Sequence, residues 1–452
     1  MGHAPVGKLI AKFAVPSIIS FLVNAAYNIT DQIFIGQIVG MYGNAATNVA
    51  FPVTTFTNAA ASLIGAGTAA SFNLLMGAKK PDEAEKISGT GLASAAVFSV
   101  FFTALIYFFQ SEILIFCGAT EQVFPYAKTY LSLTLYGMPF FLFTQAVSPL
   151  IRADGSPSYS MFCTAFGAVL NGFLDWIFMY RFGWGIEGAA VATSAGQIVS
   201  FLLCVFYFPR FKNFRIRFSS LRIRIDCLIR IVKLGTSNFI NHTVMMFVNI
   251  VMNKQLAGFG ALTIYGSDMP LAVSGVISKL SSILTAFTVG MAHGCQPILG
   301  YNMGAKNYDR VKSTFRKAIT AAFVLSIAAF LAFQLFPRRI VSIFGSGDEV
   351  YYQFAERYLR IYMMLVCVYG VQPIAVNYFS GTGSVRQGIF LSLSRQGFFL
   401  IPLLYMLPVF FGIDGVLYAG PASDAMAFVL SLVMVKRSFR RLDILKQQEM
   451  SI

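Results

Sequence analysis

Long apolar segments alternate with short polar loops along all 452 residues of the sequence. A helix that crosses a lipid bilayer needs about 20 consecutive, mostly apolar residues. Twelve segments meet this requirement, near residues 13–37, 46–75, 88–110, 127–150, 159–181, 187–208, 232–256, 262–298, 315–336, 354–379, 387–411 and 414–436. The pattern predicts an all-α, polytopic membrane protein with twelve transmembrane helices.

Two short motifs recur at one fixed spacing, which indicates an internal repeat. Met-Gly-Ala-Lys occurs at 76–79 and again at 303–306, and Gly-Ile-Glu-Gly at 185–188 returns as Gly-Ile-Asp-Gly at 412–415. Both pairs are offset by 227 residues, as the starting positions 76 and 303 show. Each half therefore carries six helices and, since six is even, both halves enter the membrane in the same direction. We expect two six-helix lobes related by a pseudo-twofold axis along the membrane normal.

The repeat and the charge distribution together indicate where the lobes begin and end. We expect an N-terminal lobe over residues 1–208 and a C-terminal lobe over residues 232–437. The basic segment 209–231 is predicted to be a cytoplasmic linker that lies partly on anionic lipid headgroups. Residues 438–452 are predicted to form a cytoplasmic tail.

The net charge of +15 arises from 34 Lys and Arg residues against 19 Asp and Glu residues. Such a balance can indicate nucleic-acid binding, but here the basic residues cluster in loops between apolar segments. Lys79, Lys80, Arg152 and the run from Arg210 to Lys233 all fall on one predicted side. The positive-inside rule assigns that side to the cytoplasm. We therefore expect a multi-pass protein of the inner (plasma) membrane, with both termini in the cytoplasm and no nucleic-acid partner.

Two aspartates within the apolar segments are the strongest candidates for function. Asp31 lies toward the end of the first predicted helix, and Asp175 lies in the fifth. Asn171 precedes Asp175 by four residues, so the two share one helix face. A charge in the hydrocarbon layer costs several kcal/mol unless it is paired or hydrated, so each is a functional candidate. The alternative is that both acids only join helices through hydrogen bonds.

Two carboxyl groups in an apolar site favour binding of a small cation. Desolvation and mutual repulsion both penalise the doubly ionised state, which favours a proton. Sodium is the rival, because carboxylates with the amide oxygen of Asn171, a threonine hydroxyl and a backbone carbonyl would form an oxygen shell for a hard cation. Nothing in the composition decides between the two ions.

Other polar residues within the predicted helices are less specific. Lys279 and Arg395 could line a water-filled cavity of the C-terminal lobe or neutralise nearby acids such as Asp268 or Asp424. His242 and His293 could take up protons during a cycle, or remain neutral and hydrogen-bonded. None of these alternatives is resolved by the sequence.

Pro16 stands within the first apolar segment, ahead of Asp31. A proline inside a helix removes a backbone hydrogen bond and bends the helix. The helix could instead simply start at Pro16.

Sequence signatures of enzymes are missing from the chain. It has no Walker A motif, no HExxH, no Gly-x-Ser-x-Gly and no cluster of Cys and His. Its six cysteines are scattered without a CxxC pair, so neither disulfides nor a zinc site are expected. We expect a protein that is not an enzyme and that needs no cofactor besides a coupling ion.

The chain resembles the MATE (multidrug and toxic compound extrusion) transporters, closest to the DinF- and MepA-like branch, over nearly its whole length. The segments that carry the resemblance are Ala14–Pro16, Tyr27–Gly36, Met76–Lys79 with its copy, Ile151–Gly155, Leu170–Asp175, Gly185–Thr193 and Gln296-Pro297. The resemblance implies a V-shaped pair of lobes around a central cleft. It also implies exchange of cationic, amphipathic organic compounds for protons or sodium ions.

The resemblance further implies roles for particular residues. Asp31, Asn171 and Asp175 match the cation site of the DinF-like members, to which Ala189, by its carbonyl, and Thr193 contribute from the sixth helix. If the ion is sodium, its ligands would be Asp31, Asn171, Asp175 and Thr193.

The same resemblance implies that the first helix bends at Pro16. Tyr27, Asn28, Gln32 and Lys279 are candidates for lining the cavity. The NorM-like branch places essential acids in the C-terminal lobe, and no obvious buried acid pair matches them here.

The function favoured by the sequence is secondary active multidrug efflux by alternating access, in exchange for protons or sodium ions. We expect a monomer that binds small organic cations and contacts membrane lipids. Two alternatives remain open. Lys279 and Arg395 would suit a flippase for lipid-linked precursors, and two symmetric lobes would also suit a membrane sensor or assembly protein that transports nothing.

Overall fold

A computed structural model describes residues 2, 4–214, 220–266, 268–344 and 349–450, apart from the side chains of Met41, Asp268, Phe344 and Met450. Within these ranges the chain is almost wholly helical and contains no strand. The part of the predicted linker at 215–219 and the last two residues of the predicted tail lie outside the described residues. The predicted all-α class is confirmed.

The helices follow the two halves of the repeat. The first half contains α1 (Val6–Ile38), α2 (Met41–Gly77), α3 (Pro81–Phe108), α4 (Gln110–Phe116), α5 (Phe124–Ala153), α6 (Pro157–Asp175) and α7 (Gly185–Phe206). The second half contains α8 (Ile225–Gly260), α9 (Asp268–Gly304), α10 (Tyr308–Leu335), α11 (Pro337–Phe344), α12 (Glu349–Tyr362), α13 (Val366–Tyr369), α14 (Val371–Gly381), α15 (Val385–Leu393), α16 (Ile401–Phe411) and α17 (Ile413–Met450). Two π-helical segments, Trp176–Arg181 and Ser394–Leu400, continue α6 and α15.

All twelve predicted apolar segments fall on these helices. Among the described residues, ten helices are long and apolar enough to cross a membrane. An eleventh span forms if α12 and the pair α13–α14, which meet at a bend of 47°, are counted together. The helix that falls short is α8, because acidic and basic residues occupy its first turns and polar residues its middle. It begins at Ile225, inside the predicted linker, just as α17 continues through the predicted tail to Met450.

The internal repeat is visible in the backbone. Lys79 and Lys306, the last residues of the repeated Met-Gly-Ala-Lys motif, are the described non-glycine residues with a positive φ, at 58° and 60°. In each copy the lysine amide donates to the carbonyl of the methionine, Met76 or Met303. Left-handed backbone of this kind is a common way to end a helix. The two copies therefore stop α2 and α9 with the same local structure.

Both chain termini lie at one end of the bundle, here called the terminal end. Arg310, at the start of α10, donates to the carbonyl of Ala4 at 2.6 Å. Lys306 pairs with Glu449, near the end of α17, at 2.9 Å. The opposite end of the bundle is called the far end.

Glycines bring the two lobes into close contact at the terminal end. A Cβ atom on Gly77 would lie 2.0 Å from the carbonyl oxygen of Tyr301, and one on Gly304 would lie 2.0 Å from that of Leu74. Gly235 of α8 approaches the carbonyl of Leu63 on α2 in the same way, at 1.8 Å. Only residues without a side chain allow helix backbones to approach so closely. The repeated glycines thus join α2 of one lobe to α8 and α9 of the other.

The lobes separate toward the far end. At the terminal end, one hydrophobic core combines Phe13 of α1 with Cys295 and Phe315 of the second half. A second core there combines Ile231 of α8 with residues of the first half. The far-end core around Ile35 contains described residues of the first half only, and the one around Leu404 contains those of the second half only. The lobes thus share hydrophobic cores at the terminal end and have separate cores at the far end.

A buried aspartate attaches the start of the linker to the N-terminal lobe. Asp154, at the end of α5, accepts hydrogen bonds from the hydroxyl of Tyr207 at 2.7 Å and from the backbone amides of Lys212 and Asn213 at 2.8 and 3.1 Å. A carboxylate that accepts several hydrogen bonds while buried is a stable anchor. The chain after α7 is therefore held against the loop between α5 and α6.

We predict that Gly77→Val and Gly304→Val each destabilise the protein by about 1–3 kcal/mol, because the new side chain collides with the backbone of the other lobe. Thermal unfolding in detergent measures the loss. Gly258→Val is the matched control, since a Cβ there would meet nothing within 4 Å. Equal losses at all three positions would show that the close contact between lobes is not the cause.

Candidate functional site

Three helices of the N-terminal lobe bring the predicted site residues together. Asp31 comes from α1, Asn171 and Asp175 from one face of α6, and Thr193 from α7. All four are buried, with exposed fractions of 7%, 3%, 0% and 7%. The structure therefore gathers residues that are distant in sequence into one polar cluster. Their role as cation ligands remains a prediction.

The oxygen atoms of this cluster outnumber its donors. The amide nitrogen of Asn171 donates to the hydroxyl of Thr193 at 3.3 Å. Among the described residues, no donor reaches Oδ1 of Asp31, either carboxyl oxygen of Asp175 or the amide oxygen of Asn171. Buried polar atoms normally have a hydrogen-bond partner. Four oxygens without one point to a proton or a hard metal cation as the missing partner.

The two carboxyl groups lie close to each other. They are near enough for a protonated carboxyl on one residue to donate a hydrogen bond to the other. In an apolar surrounding two adjacent negative charges repel strongly, so binding of one positive charge relieves both repulsion and desolvation. The pair is therefore suited to holding either one shared proton or one monovalent cation.

Two tyrosines complete the site. Tyr27 of α1, predicted as a cavity residue, and Tyr130 of α5 both bring their hydroxyls near Thr193 and interact electrostatically with Asp31 and Asp175. Sequence reasoning missed Tyr130, because a tyrosine in an apolar segment fits the membrane interface equally well. Its spacing of four residues from Thr134, which places both polar groups on one face of α5, was the available signal.

The other predicted residues of the N-terminal lobe occupy different positions. Ala189 is fully buried on α7, one turn before Thr193. Asn28 is exposed and donates its side-chain amide to the carbonyl of Asn24 at 2.8 Å. Gln32 is half-buried beside Asp31 in sequence. Ala189 thus lies next to the site, and the cavity-lining roles of Asn28 and Gln32 remain predictions.

Pro16 lies inside α1, and the alternative that the helix starts there is wrong, since α1 begins at Val6. The turns before it, from Val6 to Ala14, are packed into the core of the C-terminal lobe. Beyond it, Ile35 belongs to the far-end core of the N-terminal lobe. Proline leaves one carbonyl of the preceding turn without its helical donor. Contacts of α1 with the C-terminal lobe continue beyond Pro16, since Ile18 packs against the same core and the Phe21 ring lies 5.5 Å from that of His293.

A π-helical segment begins directly after Asp175 and continues to Arg181. A π-turn shifts the register of the side chains that follow and frequently occurs at functional sites. The C-terminal lobe has its own π-segment, and Arg395 lies within it. Both lobes thus distort corresponding helices, but only the first places a buried acid at the start of the distortion.

In the C-terminal lobe, Arg395 forms an ion pair. Its Nε donates to Oδ1 of Asp424 at 2.5 Å, and both side chains are about nine-tenths buried. The guanidinium also lies 4.6 Å from the centre of the Tyr369 ring. Of the alternatives offered by the sequence, local neutralisation of Arg395 by Asp424 is confirmed. The side chain of Asp268, the other acid considered, lies outside the described residues.

Lys279 and the two histidines are placed differently. Lys279 is half-buried on α9, and no described carboxyl group lies within 4.0 Å of its ammonium. The ring of His293 lies 5.5 Å from that of Phe21 on α1. His242 is half-buried on α8. Their functions in transport remain predictions.

Comparison with known proteins gives consistent results. The family model MatE matches residues 16–177 and 232–406. The multidrug export protein MepA of Staphylococcus aureus (strain N315) is 23% identical over 433 residues, which cover 96% of this chain and 94% of MepA.

Solved structures share the fold. An outward-facing structure of a multidrug resistance MATE family transporter of the MOP superfamily has a TM-score of 0.91 at 21% identity, covering 97% of both chains. A MATE protein solved in a bent and in a straight conformation gives TM-scores of 0.89 and 0.91 at 20% identity, again covering 97% of both chains. At this level of identity the likeness shows the fold, including its two six-helix lobes.

We predict that binding of the coupling cation stabilises the protein through the carboxyl pair. A ligand present at about 100 times its dissociation constant adds about 2.7 kcal/mol to the free energy of unfolding. The unfolding temperature of the purified protein should therefore rise with either sodium concentration or proton concentration.

Asp175→Asn and Asp31→Asn should each abolish that rise, because an amide cannot take up the positive charge. Glu187→Gln is the control, since this acid is exposed in the first turn of α7 and should leave the rise unchanged. A cation-dependent rise that survives in both aspartate variants would remove the site assignment.

Proposed function

This chain belongs to the MATE family of membrane transporters, and we propose that it exports organic, mostly cationic amphipathic compounds in exchange for protons or sodium ions. Members of this family are transport proteins and not enzymes, and the chain is a multi-pass membrane protein. The observation that carries the proposal is the pair of buried carboxyl groups, three of whose oxygens, with the amide oxygen of Asn171, lack a described donor.

Alternating access follows from the arrangement of the lobes. Their cores are shared at the terminal end and separate at the far end, and we propose that a cleft between them opens at the far end. An exchanger needs a second state that is open on the other side, and a ligand must bind the two states with different affinity to shift the equilibrium. We propose that the cation at Asp31 and Asp175 supplies this difference.

Pro16 offers a physical link between the cation site and the cleft. The same helix carries Asp31 in one lobe and Phe13 in the core of the other. A change in the position of Asp31 on cation binding must be absorbed along α1, and the helix is weakest where the backbone hydrogen bond is missing. We propose that α1 changes its bend at Pro16 and so alters the cleft.

We propose that the terminal end faces the cytoplasm in the inner (plasma) membrane. The concentration of Lys and Arg in the loops at that end supports this orientation. The far end, with the open cleft and the carboxyl pair, then faces outward, where a driving ion enters. Basic residues of the linker and tail would contact anionic lipids, and one chain with two lobes suffices to form the whole cleft.

The flippase alternative loses support from the fold. It required several uncompensated cations along the cleft, and Arg395 is already neutralised by Asp424. Lys279 still supports the flippase alternative. A sensor without transport activity does not agree with membership in a family of transporters.

Drug efflux by cells tests the proposal directly. Expression of the chain in a host that lacks its own exporters should lower ethidium accumulation, and Asp175→Asn should restore accumulation to the level of the empty host. Glu187→Gln should behave like the unaltered protein. Normal efflux by Asp175→Asn, at equal amounts in the membrane, would contradict the proposed coupling site.

The coupling ion is identified in proteoliposomes. Ethidium movement is measured under a proton gradient alone and a sodium gradient alone, and one of them should drive it. The absence of drug movement under either gradient would contradict exchange and favour another transported compound.

A further inference from the structure

Arg152 is a charged residue that the proposed cycle does not use. Sequence reasoning placed it in a cytoplasmic loop, but it belongs to the last turn of α5. Its Nη1 atom donates to the hydroxyls of Ser148 and Ser160, at 3.2 and 3.3 Å. These two hydroxyls bond to each other at 2.7 Å. The guanidinium is therefore held inside the N-terminal lobe, between α5 and α6.

No carboxyl group among the described residues lies within 4.0 Å of this guanidinium. In the other lobe, by contrast, Arg395 is neutralised by Asp424, whose Oδ1 lies 2.5 Å from the Nε of Arg395. Arg152 is half-buried, and because an arginine does not give up its proton in a protein, it remains positive. A positive charge without a carboxylate partner, fixed at the terminal end of a polar helix face, can act on cations that move along that face.

Arg152 stands at one end of a polar face that has the carboxyl pair at its other end. On α6 this face carries Ser160, Thr164, Asn171 and Asp175, at intervals of 4, 7 and 4 residues that return to the same side of a helix. Fifteen residues of α-helix span about 22 Å. The two charged sites of the lobe are thus joined along the length of one helix.

The first helix follows this face closely. The hydroxyl of Thr164 donates to that of Ser20 at 3.3 Å, midway along the path. Asn24 lies one turn further along α1. Tyr27 and Asp31 follow at intervals that keep them on the same face of the helix. Polar side chains that line two facing helices can guide water and small cations between them.

The positive charge at this end of the polar face is that of Arg152. His293 of α9 lies near enough to interact electrostatically with both Arg152 and His242. The groups near Arg152 are therefore the two serine hydroxyls, the Cys204 thiol of α7 and the His293 imidazole. A cation leaving the carboxyl pair along the polar face would approach a region that repels it.

We propose that Arg152 is an electrostatic barrier that stops the coupling cation from leaking through the N-terminal lobe toward the terminal end. The inference rests on the proposed coupling function, because it assumes that a small cation occupies the carboxyl pair. Coupling requires that this cation cross the membrane only with the change of conformation. Fixed arginines exclude cations from narrow polar pores by the same Coulomb repulsion.

Passive ion flux into proteoliposomes without drug tests the barrier. Arg152→Gln keeps donors for Ser148 and Ser160 but removes the charge, and it should raise the flux of protons or sodium about tenfold. Arg152→Lys keeps the charge and should stay near the original flux. Arg386→Gln removes an exposed positive charge at the start of α15 and serves as the matched control without a leak.

A second variant tests the same barrier while leaving Arg152 unchanged. Thr164→Asp places a carboxylate on the polar face one turn from Ser160, so it should neutralise the barrier and also raise passive flux. Unchanged flux in Arg152→Gln and Thr164→Asp, both purified as monodisperse protein, would overturn the barrier. Equal leaks in Arg152→Gln and Arg152→Lys would overturn it too, since geometry and not charge would then matter.

The result of the barrier test can be distinguished from the result of the export test. Drug exchange is measured in the same vesicles under an imposed gradient. Loss of exchange in the unaltered protein counts against the export function, whereas equal passive fluxes in the charge variants count against the barrier alone.

Discussion

The cost of burying Asp31 and Asp175 together is the constraint on which the N-terminal lobe depends. Two carboxyl groups in an apolar bundle repel each other and lack the donors that would compensate their burial. The surrounding helices tolerate this because α1, α6 and α7 are fixed by other contacts. Such a site is most stable when a positive ion is bound. Binding of the ion can therefore favour one of two conformations of the protein.

The two lobes share a backbone plan and differ in their chemistry. Lys79 and Lys306 end corresponding helices with nearly the same positive φ, and both lobes carry a π-segment on corresponding helices, although at different positions along them. In the first lobe the polar interior contains an acid pair that lacks a described partner. In the second, Asp424 already holds a permanent cation, Arg395. The repeat therefore gives both lobes the same arrangement of helices, whereas the buried charges of each lobe determine its function.

Much of the architecture was predictable from the sequence. The twelve helices follow from apolar length, and the repeated motifs reveal the two lobes. The gathering of Asp31, Asn171 and Asp175 was expected from the resemblance to a family, which no periodicity could have supplied. Pattern reasoning could not place Tyr130, because contacts between α5 and α7 depend on how helices pack.

Arg152 shows the limit of reading topology from charge. A basic residue near the end of an apolar segment normally extends to the interface, and the positive-inside rule counts it as a loop residue. Here the side chain turns back toward Ser148, as helical side chains tend to do, and enters the bundle. A similar difficulty affects Arg395, whose partner lies 29 residues away on another helix.

The ion pair between Arg395 and Asp424 also bears on how the membrane voltage acts on the protein. A single charge that crosses the whole potential contributes about 2.3 kcal/mol per 100 mV, but two opposite charges in contact carry no net charge for the field to move. Rearrangement of the C-terminal lobe around this pair is therefore nearly electrically silent. Gating currents, if recorded, would report on charges elsewhere, such as the aspartates of the first lobe and Lys279.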